Sequence, residues 1–117
     1  MPTSLTATAN PLIASDKVVG TSVFDATSTQ IGEIQKLMIN KQTGKVAYAI
    51  LTFGGFLGIG ASNYPLPWEA LTYVPDLGGY LVNVVKERLE RAPNYLEEED
   101  PFVDPAYGSR VEGFWLT

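Results

Sequence analysis

Val46-Ala-Tyr-Ala-Ile-Leu-Thr-Phe53 is apolar on both of its alternating faces, with Val46, Tyr48 and Ile50 on one side and Ala47, Ala49, Leu51 and Phe53 on the other. A strand half-covered by a core would alternate apolar and polar residues. Two apolar faces predict a central strand covered on both sides, or one whose outer face is an interface. Immediately before it, Asn40-Lys-Gln-Thr-Gly44 reads as a hairpin turn, with Gly44 free to take a positive φ. Upstream lies a partner strand, Ile31 to Ile39, whose apolar positions do not keep one phase: Ile31 fits with Leu37 and Ile39, and Ile34 does not. One extra residue swaps the faces of a strand, so a bulge is expected near Gly32–Gln35.

Further short apolar runs extend the pattern in both directions. Val19 to Phe24 is an earlier strand, followed by the turn-forming stretch Asp25-Ala-Thr-Ser-Thr-Gln30. Asn63 to Leu66 runs into Pro67-Trp-Glu-Ala-Leu71, where a short helix is expected. Leu71 to Val74 and Tyr80 to Val85 flank Pro75-Asp-Leu-Gly-Gly79, another hairpin. Lys86 to Ala92 reads as a short helix ended by Pro93. Brief strands at even spacing predict an all-β fold. At 117 residues, one domain is expected. Residues 1–15 are expected to form a flexible arm, 16–93 the β-domain, and 94–117 an acidic, aromatic-containing tail.

Composition narrows the chemistry. The chain contains no Cys and no His, so thiolate metal sites, cysteine nucleophiles and Ser-His-Asp catalysis are excluded. Residues 1–92 carry seven basic and seven acidic residues, so the net charge of −5 belongs to the tail. A neutral body with an acidic tail argues against nucleic-acid binding, which depends on Lys and Arg at phosphates. No stretch approaches the roughly 18 apolar residues needed to span a bilayer. The N-terminus lacks a positively charged lead, so it is not read as a signal peptide, and a cytoplasmic location is expected.

Two motifs invite a functional reading. Gly54-Gly-Phe-Leu-Gly-Ile-Gly60 places four glycines in seven residues, yet no Gly-Lys-Ser/Thr follows and the next element is a strand. It reads as a wide connection in which Phe56, Leu57 and Ile59 plug a barrel end. Glu97-Glu-Glu-Asp100 lacks the ligand alternation of a calcium loop and reads as a solvated acidic linker. The aromatic stretch Val111-Glu-Gly-Phe-Trp-Leu116 is expected to dock, on its own barrel or on a second subunit. Trp68 is expected in the core.

Taken in order, Gly20-Thr-Ser-Val-Phe-Asp25, Ile31-Gly-Glu-Ile34, Thr43-Gly-Lys-Val46, the 54–60 loop, Pro65-Leu-Pro-Trp-Glu69 and Leu89 to Pro93 resemble the PRC-barrel domain family. That family includes the cytoplasmic domain of the photosynthetic reaction centre H subunit and the C-terminal domain of RimM. The resemblance implies a six-stranded, partly open, SH3-like barrel with one or two short helices. It also implies docking on a larger assembly, with no catalytic, cofactor or metal residues carried over. The expected function is a non-enzymatic interaction module, a homodimer or the partner of another protein. An accessory factor for a photosynthetic or electron-transfer complex is the alternative, and a small-ligand binder or enzyme a distant third. The candidate contact surface comprises Tyr48, Phe53, Phe56, Leu57, Ile59, Phe114 and Trp115.

Overall fold

The computed structural model describes residues 12–53, 62–96 and 99–116. Six strands form one curled sheet: β1 (Ser22–Phe24), β2 (Gln30–Ile39), β3 (Val46–Phe53), β4 (Ser62–Pro67), β5 (Leu71–Val74) and β6 (Gly79–Val82). Their spatial order is β4-β3-β2-β1-β6-β5. All neighbours are antiparallel except β1 and β6, which run parallel through Val23–Tyr80 and Phe24–Leu81. Among the described residues, three α-helices accompany the sheet: α1 (Ser15–Val18), α2 (Lys86–Leu89) and α3 (Pro105–Trp115). This is the small, partly open all-β barrel that the sequence predicts.

The bulge falls where the phase of β2 breaks. Pairing with β3 steps from Ile34–Leu51 to Lys36–Ile50, leaving Gln35 unpaired. Ile31 and Ile34 are thereby both buried. The next turn also follows its sequence: Gly44 takes φ 79°, and the Asn40 side chain accepts from the Gln42 and Thr43 amides. At the following hairpin Gly78 takes φ 66°.

The interior of the curl holds Val23, Ile34, Leu51, Leu66 and Val82, with Leu89 closing one end from α2. Trp68, in a 3-10 turn after β4, packs against this core with its ring 5.5 Å from that of Tyr80. Three boundaries differ clearly from expectation, the last strand ending at Val82 rather than Val85. The first strand begins at Ser22, because Ser15–Val18 forms a helical turn that drives Val18 into the core. The helix before Pro93 is confined to Lys86–Leu89, with Leu89 and Ala92 buried.

Candidate functional site

The outer face of β3 carries the second apolar cluster. Ile50 is fully buried there, together with Tyr95, Tyr107 and Val111, and flanked by Met38, Tyr48, Phe102 and Trp115. Every covering residue except Met38 and Tyr48 lies C-terminal to the barrel. Tyr95 is pinned by two backbone hydrogen bonds with Asn63 at the edge of β4. Phe102 stands 5.1 Å from the Tyr48 ring and edge-on to Tyr107. The segment expected to dock therefore docks on its own barrel, and it does so as an 11-residue helix.

Local sequence explains that helix. Asp104 caps it, accepting from the Ala106 amide at 3.0 Å, and Pro105 occupies the first turn, where its missing N–H costs nothing. Tyr107, Val111 and Trp115 recur every fourth residue and so share one face. This stripe, together with the Asp-Pro start, is the signal that would have placed a helix here; Gly108 and Gly113 mask it. Gly108 has a packing reason, since a Cβ there would lie 2.9 Å from the Tyr48 hydroxyl oxygen.

Of the candidate contact residues, Tyr48 is half-buried beneath this segment and donates its hydroxyl to Glu112 Oε2 at 2.7 Å. Burial, and then the bond to and charge of Glu112, hold its phenol above the ordinary range. Phe114 and Trp115 are partly buried with their rings 5.1 Å apart. Arg88 lies over Phe114 at 4.5 Å, and its guanidinium donates to the Phe114 carbonyl. Phe53 ends β3, whereas Phe56, Leu57 and Ile59 lie outside the described residues. The structure thus brings Tyr48 and the α3 aromatics onto one side of the molecule.

Among the described residues, the buried Tyr107 hydroxyl and Trp115 indole N–H of this layer meet no hydrogen-bond partner. Burial, with Tyr95 adding to it, pushes the Tyr107 phenol up to about 12.

Two shallow grooves flank Glu69. One, of about 520 Å³, runs between Lys45, Trp68 and Glu112. The other, of about 610 Å³, runs between Thr72, Arg88 and Trp115. Their carboxylates and amines offer polar contacts at a rim. Among the described residues, no cluster of three or more His, Cys, Asp or Glu is placed to hold a metal ion. No helix among them is long and apolar enough to cross a membrane.

The curled sheet, its core and its loop order define a β-barrel of the PRC type. The PRC-barrel domain family matches residues 11–89, and the chain belongs to it. It is a family of binding and assembly domains. The fold is similar to a solved structure of a 16S ribosomal RNA processing protein, RimM, from Pseudomonas aeruginosa, at 16% identity and a TM-score of 0.40. That similarity covers 74% of this chain and 50% of the RimM chain, so the chain spans about half of that relative's length. Among curated proteins, none matches this sequence. The family match ends at residue 89, so Tyr95, Phe102 and α3 all lie beyond it.

Proposed function

We propose that the chain is a non-enzymatic protein-interaction module that forms homodimers. Its contact surface is built around the outer face of β3. Tyr48 stands on that face, Phe114 and Trp115 belong to the C-terminal helix, and Phe53, Phe56, Leu57 and Ile59 are proposed to extend the surface. One observation carries this reading: β3 is apolar on both faces, and its outer face is covered by a segment lying beyond the family match. A barrel needs only one face of a strand for its own core, so a second apolar face serves contact. The neutral charge of residues 1–92 agrees with a protein partner rather than a phosphate backbone.

Sedimentation velocity from micromolar to millimolar chain tests this reading, with affinity capture from cell extract beside it. A dimer that grows with concentration is expected. A monomer throughout, with nothing captured, overturns the proposal.

A further inference from the structure

The groove between Lys45, Trp68 and Glu112 is assembled from three parts of the chain. Val46 and Ala47, at the start of β3, give it an apolar wall. The 3-10 turn after β4 brings Trp68 and Glu69, and α3 brings Glu112. Trp68 is half-buried: it packs on Tyr80 and still lines this groove. Glu69, Glu112 and Lys45 are exposed at the rim, two carboxylates against one ammonium. Their negative field reaches the strand, since burial, then Glu112 and last Glu69 raise the Tyr48 phenol. At about 520 Å³ the groove has room for one long side chain and parts of its neighbours.

Apolar and aromatic walls under an acidic rim suit a group that is cationic at its tip and apolar along its stem. Arginine is that group. Its guanidinium stacks on an indole, pairs with a carboxylate through two parallel bonds, and is more weakly hydrated than an ammonium. The protein makes the same kind of contact within itself: Arg88 lies 4.5 Å from the centre of the Phe114 ring, and Arg110 5.2 Å from that of Tyr107. A phosphate or an acidic peptide would instead meet two carboxylates here.

We propose that this groove receives an arginine side chain of a partner protein. The guanidinium lies on Trp68 at the carboxylates of Glu69 and Glu112, and apolar residues beside the arginine rest on Val46 and Ala47. The proposal rests on the interaction-module reading above but not on dimerisation, and it adds the chemistry of a partner other than this chain. Glu112 lies beyond residues 11–89, so the acidic rim is completed by a helix outside the family match.

The probe is the blocked tripeptide acetyl-Leu-Arg-Leu-amide, titrated into the isotope-labelled full chain and followed by proton–nitrogen correlation spectra. Saturable shifts are expected at the Trp68 indole N–H and at the amides of Val46, Ala47 and Glu69, with a Kd on the order of 1 mM because one side chain carries the contact. The same peptide with citrulline, which keeps the shape and loses the charge, is expected to bind about tenfold more weakly. Glu69→Gln is expected to weaken the arginine peptide about threefold, and Lys45→Gln to strengthen it about twofold. Both residues are exposed, so neither substitution threatens the fold. Absence of saturable shifts at these positions at about 10 mM peptide overturns the proposal. Equal binding of the citrulline peptide, tighter binding of acetyl-Leu-Glu-Leu-amide, or binding untouched by both substitutions overturns it as well. Sedimentation of the same samples keeps the two readings apart: a dimer that ignores the peptide overturns this proposal alone, and a monomer that binds it supports this proposal while dimerisation falls.

Discussion

The Tyr48 hydroxyl on β3 donates to Glu112 on α3 at 2.7 Å, joining two residues 64 positions apart in the chain. It is a polar link on the rim of an otherwise apolar contact, and it fixes where the helix lies along the strand. The site is exposed, so the bond is worth about 0.5–1.5 kcal/mol net. Tyr48→Phe keeps the ring on Phe102 and removes only the donor. Urea denaturation is expected to show a loss within that range and an unchanged m-value.

The same hydroxyl decides what Gly108 can become. Glycine costs a helix about 1 kcal/mol relative to alanine. A Cβ at residue 108 would stand 2.9 Å from the Tyr48 oxygen but 4.0 Å from the ring carbon that bears it. Gly108→Ala is therefore expected to stabilise the Tyr48→Phe background by up to about 1 kcal/mol. In the wild type the gain is offset, because the hydroxyl must move away from Glu112. A double-mutant cycle measures the difference, and strict additivity would contradict the contact.

Alkaline titration reads burial of the phenols. Tyr48, Tyr64, Tyr80 and Tyr107 all have raised values, in each case chiefly by burial, with Tyr107 at about 12. A tyrosine whose folded value lies above its unfolded one contributes stability that is intact below pH 10 and is lost as the pH climbs toward the folded value. Ultraviolet absorbance of tyrosinate is expected to show these four phenols ionising above the ordinary tyrosine range, and stability is expected to fall above about pH 10. Ionisation of these four in the native protein at the ordinary phenol value would contradict the packing.

The legible parts of this molecule were those in which one short stretch dictates its own geometry. The phase break between Ile31 and Ile34 could be relieved only by an extra residue, and Gln35 is that residue. The two-faced apolar pattern of β3 predicted either cover on both sides or an interface on the outer face, and both sides are covered within the chain. It could not say by what, because strand periodicity is blind to the identity of a distant partner. Helix α3 was obscured because its two glycines lower the segment's helix propensity and its covering role depends on Tyr48, more than fifty residues upstream. Val18 shows a related limit: its burial is compatible with a strand or a helical turn, and tertiary packing chose the turn.

Asp25 holds the first turn as a buried carboxylate. It accepts from the Thr27 hydroxyl and from the Thr27 and Thr29 amides, and Ser28 between them takes φ 66°. Those bonds, led by the Thr27 hydroxyl, outweigh burial and lower its pKa from 3.8. Because the folded value is depressed, its contribution is present above pH 3.8 and fades as the pH falls through the lowered value. Asp25→Ala is expected to cost at least about 1.5–3 kcal/mol at pH 7, the worth of one charge-assisted bond. The variant's stability is also expected to be less sensitive to acid, which thermal melts between pH 2 and pH 7 (a range set by the usual carboxylate values of about 4) would reveal.

Truncation after Leu96 separates the barrel from its covering helix while keeping the Tyr95–Asn63 bridge. The buried members of the interior cluster, Val23, Ile34, Leu51, Leu66, Val82 and Leu89 among them, all lie before residue 93. The C-terminal helix adds only the partly buried Phe114 and Trp115 against it, so the shortened chain is expected to unfold cooperatively. It is also expected to be less stable, because Ile50, now fully buried, would face water at a cost of about 1.5–3 kcal/mol. The uncovered face of β3 should bind a hydrophobic dye and self-associate in proportion to concentration. Two results would be inconsistent with this division. A truncated chain without a cooperative transition would make the C-terminal segment part of the core. A chain as stable as the full length would mean that docking α3 contributes no net free energy, despite the burial of Val111 and Tyr107.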